Sequence, residues 1–302
     1  MAKKVRLCRA VESNVGERRA YKKQLVRLHK QFSDFILNQL FLEMQADSNL
    51  VFDASPLRPN QREKEILKAI KNKIPKGVKD FTTYLWGIIS ANINKWLRLL
   101  KTASMPVIEK FVKKAVTSTT RAQKQAFLSA GVKVSAIEQA WSVPIVGRQY
   151  IAPQMANAMP DLIEGNVSLI TKIGQKDITR IADVLIKGVE SGLDYDAIRD
   201  ELKQTEGFDS ARADRVALDQ INKINAQTQE LNAKALGCTK GRWKHVPGQY
   251  TSRKTHIKFD GMEYDLNKGL FDSDVQKFVK PAELPYCRCV MRLVLPQDIL
   301  NE

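Results

Sequence analysis

The dominant pattern along the chain is the helical spacing of its apolar residues. Between residues 15 and 45 they recur at three- and four-residue steps, which predicts an amphipathic helix. These apolar positions are Leu25, Leu28, Phe32, Phe35, Ile36 and Leu40. Similar patterns predict further helices over 61–74, 80–101, 105–130, 167–173, 177–188, 195–203 and 210–236. Prolines interrupt the stretch 132–165, so a less regular segment is predicted there.

Turn-forming residues mark the ends of these predicted helices. Residues 48–60 contain two prolines and are predicted to form a loop. Gly131 is predicted to end the helix before it, and Gly192 followed by Asp194 reads as a helix stop and a new cap. Gly237 closes the last and longest helix of the series.

Beyond Gly237 the helical spacing of apolar residues gives way to short apolar runs separated by turns. Runs at 242–246, 256–259 and 288–295 predict strands, and Asp260-Gly261 is a hairpin signal. The predicted fold class is therefore mostly α, an elongated helical body with a small C-terminal α+β domain. The predicted domains are a basic helical region 1–160, a second helical region 161–237 and a small tail 238–302.

Net charge is the feature that departs from an ordinary soluble composition. Lysine and arginine number 49 against 33 aspartate and glutamate, a net charge of +16. Such a field attracts polyanions and speeds encounter with nucleic acid or an acidic protein surface. A charge that serves solubility alone is the alternative, and both interpretations stay open.

Two predicted helices carry much of this charge on their polar faces. The basic positions are Arg18, Arg19, Lys22, Lys23, Arg27 and Lys30 in one helix and Lys110, Lys113, Lys114, Arg121 and Lys124 in the other. A basic amphipathic helix can lie on DNA, on a membrane or on an acidic partner. The solvated face of an ordinary bundle helix explains the same pattern.

Cysteine usage and hydropathy indicate a protein kept in a reducing cytosol. Four cysteines in 302 residues do not make a disulfide framework. The basic start of the chain has no apolar run behind it, so no signal peptide is predicted. Every apolar window falls short of the roughly 20 residues that a membrane-spanning helix needs. No membrane association is expected.

Histidine and cysteine concentrate near the end of the chain. His256, Cys287 and Cys289, with Cys238 or His245 as a fourth ligand, could supply the nitrogen and sulfur set that zinc prefers. Cys-x-Cys is a weaker chelate signal than Cys-x-x-Cys. Two buried thiols beside a hydrogen-bonded histidine explain the same residues, and both interpretations stay open.

An enzymatic interpretation of the same region centres on three residues. Arg253, His256 and Arg288 could hold a phosphate or act as acid and base. The sequence has no acidic metal cluster, no glycine-rich phosphate loop and no nucleophile motif to accompany them. A histidine and an arginine that brace the fold are the simpler interpretation.

The order of these landmarks resembles the Mu F-like head morphogenesis proteins of tailed bacteriophages, also called minor head proteins. The family signature is a Trp, an Arg-x-x-His, an Asp-Gly or Gly, and a Cys-Arg-Cys preceded by Pro. Here it falls on Trp243, Arg253 with His256, Asp260-Gly261, and Cys287-Arg288-Cys289 after Pro285. Segments at 166–173, 190–192 and 212–217 are also similar to the family pattern.

Two departures separate this chain from the family pattern. Leu218-Asp219-Gln220 stands where the family usually has Arg-Thr-Glu, and Pro247-Gly248-Gln249 stands where it tends to have an acidic residue. These differences weaken any transfer of a charge-dependent role to the helix that ends at Leu236. The first 150 residues match no family pattern.

The resemblance implies a non-enzymatic, low-copy protein of the virion interior near the portal, assembled in the bacterial host cytoplasm. It implies the portal protein, capsid or scaffolding proteins and nonspecifically bound double-stranded DNA as partners. Its role would be head assembly and DNA packaging or delivery, with the basic helices contacting DNA or portal. No cofactor is expected, apart from the structural zinc that the cysteine and histidine residues could bind. The alternative is a nuclease or ADP-ribosyltransferase-like enzyme that uses the region of Arg253 and His256.

Overall fold

The structure is a computed structural model that describes residues 5–48, 61–73, 78–141, 153–204, 210–247 and 252–301. Its helices are α1 (Val15–Ser48), α2 (Gln61–Lys73), α3 (Val78–Ser129), α4 (Val134–Trp141), α5 (Pro153–Glu190), α6 (Tyr195–Gln204), α7 (Ser210–Ala235) and α8 (Lys254–Lys258). Its strands are β1 (Lys240–Lys244), β2 (Glu263–Asp265), β3 (Leu270–Asp272), β4 (Lys277–Val279) and β5 (Val290–Leu293). The prediction of a mostly α chain with a small α+β region near its C-terminus is confirmed.

The chain divides into two compact units. Unit 1 comprises Met1–Lys23, Val107–Asn166 and Arg212–Glu302. Unit 2 comprises Gln24–Pro106 and Val167–Ala211. The domain boundaries predicted at 160 and 237 stay predictions. None of the described helices is both long enough and apolar enough to cross a membrane.

Two helices are longer than the sequence predicts. The predicted helices 80–101 and 105–130 form one helix, α3, which continues through Pro106. The sequence predicts an irregular stretch followed by two helices, but from Pro153 onward the structure has one helix, α5. This helix continues through Pro160. An interior proline costs about 3 kcal/mol. Buried apolar residues stay in helical register on both sides of each proline, and this burial offsets the cost.

The predicted helix ends at Gly131, Gly192 and Gly237 are confirmed. Gly131, Gly192 and Gly237 have φ values of 85°, 71° and 83°, a region that favours glycine. At each of them, paired backbone bonds satisfy the last carbonyls of the preceding helix. Asp194 Oδ1 accepts the backbone N–H of Ala197 at 2.9 Å and caps α6. The predicted loop after Ser48 lies outside the described residues.

Unit 2 has a core made by the apolar faces of its helices. The predicted stripe of α1 supplies Leu25, Phe32, Ile36 and Leu40, all buried. A Cβ on Gly174 would lie 2.2 Å from a methyl of Leu100, so the helices approach closely there. His29 Nδ1 and Asp177 Oδ2, 2.8 Å apart, form a buried polar contact in this core.

Unit 1 contains a three-stranded antiparallel sheet in the order β2-β1-β5 and a separate β3–β4 hairpin. In the central strand, Gly241 pairs with Tyr264 of β2 and Trp243 pairs with Met291 of β5. The core beside this sheet includes Cys8, Phe127, Trp141, Leu236, Trp243, Phe259, Tyr264, Met291 and Leu293. Side chains from the N-terminal segment, α3, α4 and the strands therefore share one core.

The predicted strand at 256–259 is wrong, because the structure has the short helix α8 there. Helical backbone bonds run from Ile257 N–H to the Arg253 carbonyl and from Phe259 N–H to the Thr255 carbonyl. The predicted hairpin at Asp260-Gly261 is also wrong, since this turn joins α8 to β2. The Gly261 φ of 81° still confirms a turn that favours glycine. Burial of one face of α8 overrides the strand preference of its residues.

Two glycines of this region give a matched test of backbone geometry. Gly269 and Gly261 have φ values of 82° and 81°, so alanine is strained at either position by about 1–3 kcal/mol. A Cβ on Gly269 would also lie 2.3 Å from the carbonyl oxygen of Val279, whereas a Cβ on Gly261 meets nothing within 4 Å. We expect Gly269→Ala to lower the free energy of unfolding more than Gly261→Ala, as measured by urea denaturation. Equal losses of unfolding free energy in the two variants would contradict the close approach of β4 to Gly269.

Candidate metal centre in the C-terminal region

Two histidines and two cysteines, far apart in sequence, meet beside the central strand of unit 1. His256 projects from α8, Cys287 and Cys289 precede β5, and His245 follows β1. The Nδ1 atom of His256 lies 3.4 Å from Cys287 Sγ and 3.8 Å from Cys289 Sγ. His245 Nδ1 lies 3.6 Å from Cys289 Sγ. The ligand atoms of His256, Cys287 and Cys289 all lie within 4.8 Å of one another.

The other face of His256 is held by a carboxylate and by aromatic rings. Nε2 of His256 lies 3.2 Å from Asp272 Oδ2, off the line of a good hydrogen bond. The imidazole is 2% exposed, and Asp272 is fully buried at the end of β3. Trp243 meets the imidazole edge-on at 5.1 Å between ring centres. These contacts fix the orientation of the ring, with Nδ1 toward the sulfurs.

The two thiols differ in acidity because they are hydrogen-bonded to each other. The hydrogen bond with Cys287 lowers the pKa of Cys289 to about 7, against the opposing effect of burial. The hydrogen bond with Cys289, followed by burial, raises the pKa of Cys287. Cys289 is therefore the thiol that ionises first. A thiolate is the form of cysteine that binds metals.

Cys238, one of two candidates for a fourth ligand, lies outside this cluster. It directly follows Gly237 at the end of α7, whereas His245 lies beyond the opposite end of β1. Burial, and then the Cys8 thiol, raise the pKa of Cys238 to about 12. The structure brings His256, Cys287 and Cys289 together without Cys238, which is a buried thiol of the core of unit 1.

A carboxylate on α7 holds the turn that precedes the Cys-Arg-Cys segment. Asp219 Oδ1 accepts the backbone N–H of Tyr286 at 2.7 Å, and Oδ2 accepts from Lys223 Nζ at 2.7 Å. Asn222 Nδ2 donates to the carbonyl of Cys287 at 3.3 Å. Tyr286 has a φ of 61°, which a non-glycine residue adopts only when its surroundings enforce it. The sequence interpretation missed Asp219 and Asp272, because neither lies in a recognisable spacing with the cysteines.

Further along α7, buried amide side chains fix the helix within unit 1. Asn225 Nδ2 and Gln229 Nε2 both donate to the carbonyl of Val11, at 3.0 and 2.9 Å. Asn232 Nδ2 donates to Gln123 Oε1 at 3.1 Å. Each of these three buried amides therefore has a hydrogen-bond partner within the protein. The helix that carries Asp219 is therefore held at both ends of its buried face.

A pocket of about 370 Å³ opens beside the cluster. Its described lining includes Arg215, Arg253 and Arg288 together with the four histidine and cysteine ligand candidates, and it contains no carboxylate. Arg253 Nη2 donates to the carbonyl of Pro285 at 3.1 Å, so this arginine braces the turn before the cysteines. Asp260 Oδ1 accepts the backbone N–H of His245 at 2.7 Å.

The basic residues predicted to contact DNA or protein lie on α1 and α3. Most of them are exposed: Arg19, Lys23, Arg27, Lys30, Lys110, Lys113, Lys114 and Arg121. Lys22 and Lys124 are partly buried. Arg18 differs, because its guanidinium forms a bidentate ion pair with Asp214. Its Nε and Nη2 atoms donate to the two carboxylate oxygens at 3.2 and 2.7 Å. Its charge is thus balanced within unit 1.

The fold and the cluster define a small α+β module with a buried cysteine and histidine corner. The model of a family described as Phage Mu protein F like protein matches residues 179–292, from the second half of α5 into β5. This match confirms the resemblance for that part of the chain. The region 212–217, the Arg-x-x-His and the Cys-Arg-Cys segment all lie within it.

Comparison with curated proteins finds a relative in Haemophilus influenzae, described as an uncharacterized protein. The two are 23% identical over 202 residues, which are 65% of this chain and 44% of the relative. The chain thus spans less than half the length of the relative that it matches. No solved structure matches the chain.

Proposed function

We propose that this protein is a minor head protein of a tailed bacteriophage, associated with the portal. It assists head assembly and the packaging or delivery of DNA. The observation that carries the proposal is the family match over 179–292, which contains the whole cysteine and histidine corner. In this proposal the module provides a shape that other head proteins bind.

The surroundings of His256 favour an architectural role over an enzymatic one. Its Nδ1 faces two sulfurs and its Nε2 faces Asp272, so neither nitrogen is directed at the open pocket. A general base must lie within hydrogen-bond reach of the proton that it abstracts. The pocket lining described here also lacks a carboxylate that could take that role in place of His256.

The proposal is tested by following the protein through head assembly. We expect it to co-purify with heads at a copy number far below that of the major capsid protein, as measured by quantitative mass spectrometry. Heads assembled without the portal protein are the control and should lose it. A protein that stays soluble while complete heads form, or that enters portal-free heads equally well, contradicts the portal role.

DNA affinity is the second part of the proposal, and it rests on charge. The chain carries a net charge of +16, and three lysines of α3, Lys110, Lys113 and Lys114, are exposed. Cations on a surface bind the phosphate backbone by releasing counterions, without reading sequence. We expect the purified protein to bind double-stranded DNA with an affinity that falls steeply as salt rises.

The logarithm of the DNA-binding constant falls linearly with the logarithm of the salt concentration. Replacing these three lysines by alanine should reduce the magnitude of that slope by up to ~2.7, about 0.9 per lost phosphate contact. Fluorescence anisotropy of a labelled duplex over a range of salt concentrations measures it. The matched control removes the same charge from Lys240, Lys244 and Lys277, whose ammonium groups pair with Glu263, Asp260 and Glu283. If both triple variants change the slope equally, α3 is not the DNA contact.

A further inference from the structure

We propose that His245, His256, Cys287 and Cys289 bind one zinc ion, which serves as a structural element of the C-terminal module. The ligand type is that of a closed Cys₂His₂ site, with His256 bound through Nδ1. The inference is independent of the phage role, because it rests on side-chain geometry within unit 1.

The distances between the ligand atoms are those of a tetrahedral zinc site. With Zn–S of about 2.3 Å and Zn–N of about 2.0–2.1 Å, a sulfur and a nitrogen on the same ion lie ~3.6 Å apart. His256 Nδ1 lies 3.4 and 3.8 Å from the two sulfurs, and His245 Nδ1 lies 3.6 Å from the sulfur of Cys289. These distances fall on both sides of the tetrahedral value. The three inner ligands, His256, Cys287 and Cys289, converge within 4.8 Å, and His245 joins them through Cys289.

Hydrogen bonds alone do not account for this convergence. A single Nδ1 of His256 faces two sulfurs, and an imidazole nitrogen either donates or accepts one good hydrogen bond. Cys289 Sγ in turn faces the Nδ1 atoms of both histidines. Two thiol hydrogen bonds, from Cys287 to His256 and from Cys289 to His245, would pair the four atoms but leave the 3.8 Å contact between Cys289 Sγ and His256 Nδ1 without a role, whereas one cation accounts for all three contacts.

Asp272 supplies the outer partner that zinc-bound histidines usually have. A ligating histidine directs its second nitrogen to a carboxylate or carbonyl, which fixes the ring and raises its basicity. Asp272 Oδ2 lies 3.2 Å from His256 Nε2, and Asp272 Oδ1 accepts the backbone N–H of Asp274 at 2.9 Å. A fully buried carboxylate in this position is explained by a positively charged centre beyond the ring.

The position of His245 makes the site closed, as in structural zinc sites. His245 is half-buried and lines the pocket together with the other three ligands, so as the fourth ligand it takes the position that a catalytic zinc leaves for water. The strands of the module have only three to five residues each. Small modules of this kind gain folding free energy from metal binding.

Metal content and cobalt spectra of the full chain test the proposal. We expect about one zinc per chain in purified protein, and Co²⁺ exchange should give the strong visible bands and thiolate charge transfer of a tetrahedral thiolate site. Cys289→Ser should lose the zinc, whereas Cys238→Ser, at an equally buried thiol outside the cluster, should keep it. A wild-type chain that binds no zinc, or a weak octahedral cobalt spectrum, overturns the proposal. So does equal zinc loss in both serine variants.

Asp272→Asn separates a metal site from a merely packed corner. Loss of an outer-shell carboxylate lowers zinc affinity about 10- to 100-fold, while the inner ligands stay in place. Competition for Zn²⁺ with a coloured chelator measures this affinity on the full chain. An unchanged affinity in the variant would remove Asp272 from the site and contradict the His256 orientation on which the proposal rests.

Discussion

Replacing Trp243 by alanine is expected to lower the free energy of unfolding by about 3–5 kcal/mol, the range for truncating a large buried aromatic side chain. The indole is 1% exposed on the central strand β1. It meets His256 and Phe259 edge-on at 5.1 and 5.0 Å between ring centres. Its removal leaves a cavity beside the histidine, so the strand and α8 lose their common packing surface. Urea denaturation followed by circular dichroism measures the loss.

Phe271 provides the control for this substitution. It belongs to the same C-terminal region, but its side chain is 49% exposed on β3. Surface truncations of this kind change stability by about 0.5 kcal/mol. If Phe271→Ala destabilises as much as Trp243→Ala, the core of unit 1 does not centre on the indole.

Replacing Asp219 by alanine is expected to lower the free energy of unfolding by about 1–3 kcal/mol. The substitution leaves the backbone N–H of Tyr286 without its acceptor at a partly buried position. Because Tyr286 has a positive φ and precedes Cys287, the turn that presents the sulfurs should also loosen. Thermal unfolding measures the first effect, and zinc affinity of the same variant measures the second.

Asp219→Asn separates the hydrogen bond from the charge. Asparagine keeps an oxygen that can accept the Tyr286 N–H, but it loses the ion pair with Lys223, which is 33% exposed. A partly exposed pair contributes at most about 1 kcal/mol. Asp219→Asn should therefore retain most of the stability and the zinc affinity. If Asp219→Asn lost as much stability as Asp219→Ala, the charge of Asp219, and not its hydrogen bond to Tyr286, would stabilise the turn.

Local signals in the sequence predicted most helices and their ends, and tertiary contacts explain where they failed. Glycines such as Gly131 and Gly237 end helices through their own backbone freedom, so they can be recognised without the rest of the chain. Pro106 and Pro160 misled the prediction, because burial on both sides of each proline offsets a cost that is local. At α8, the inward position of His256 decided the structure against its strand preference.

The candidate site was predictable only in part. His256, Cys287 and Cys289 stood out by residue type and by the family resemblance, and the structure brings them together. Asp272 and Asp219 were missed, since the first lies on a hairpin and the second on a helix with no spacing that links them to the cysteines. The sequence left Cys238 and His245 as alternatives, because proximity in sequence does not reveal which end of β1 a residue occupies. Only the pairing of β1 with β2 and β5 resolves that.

The central claim is that the cysteine and histidine corner is a closed architectural centre. X-ray absorption at the zinc edge, on the full chain loaded with Zn²⁺, tests it most directly. The account predicts a shell of two sulfurs at about 2.3 Å and two imidazole nitrogens at about 2.0–2.1 Å. A shell in which a water oxygen replaces the His245 nitrogen would instead indicate a centre open to substrate.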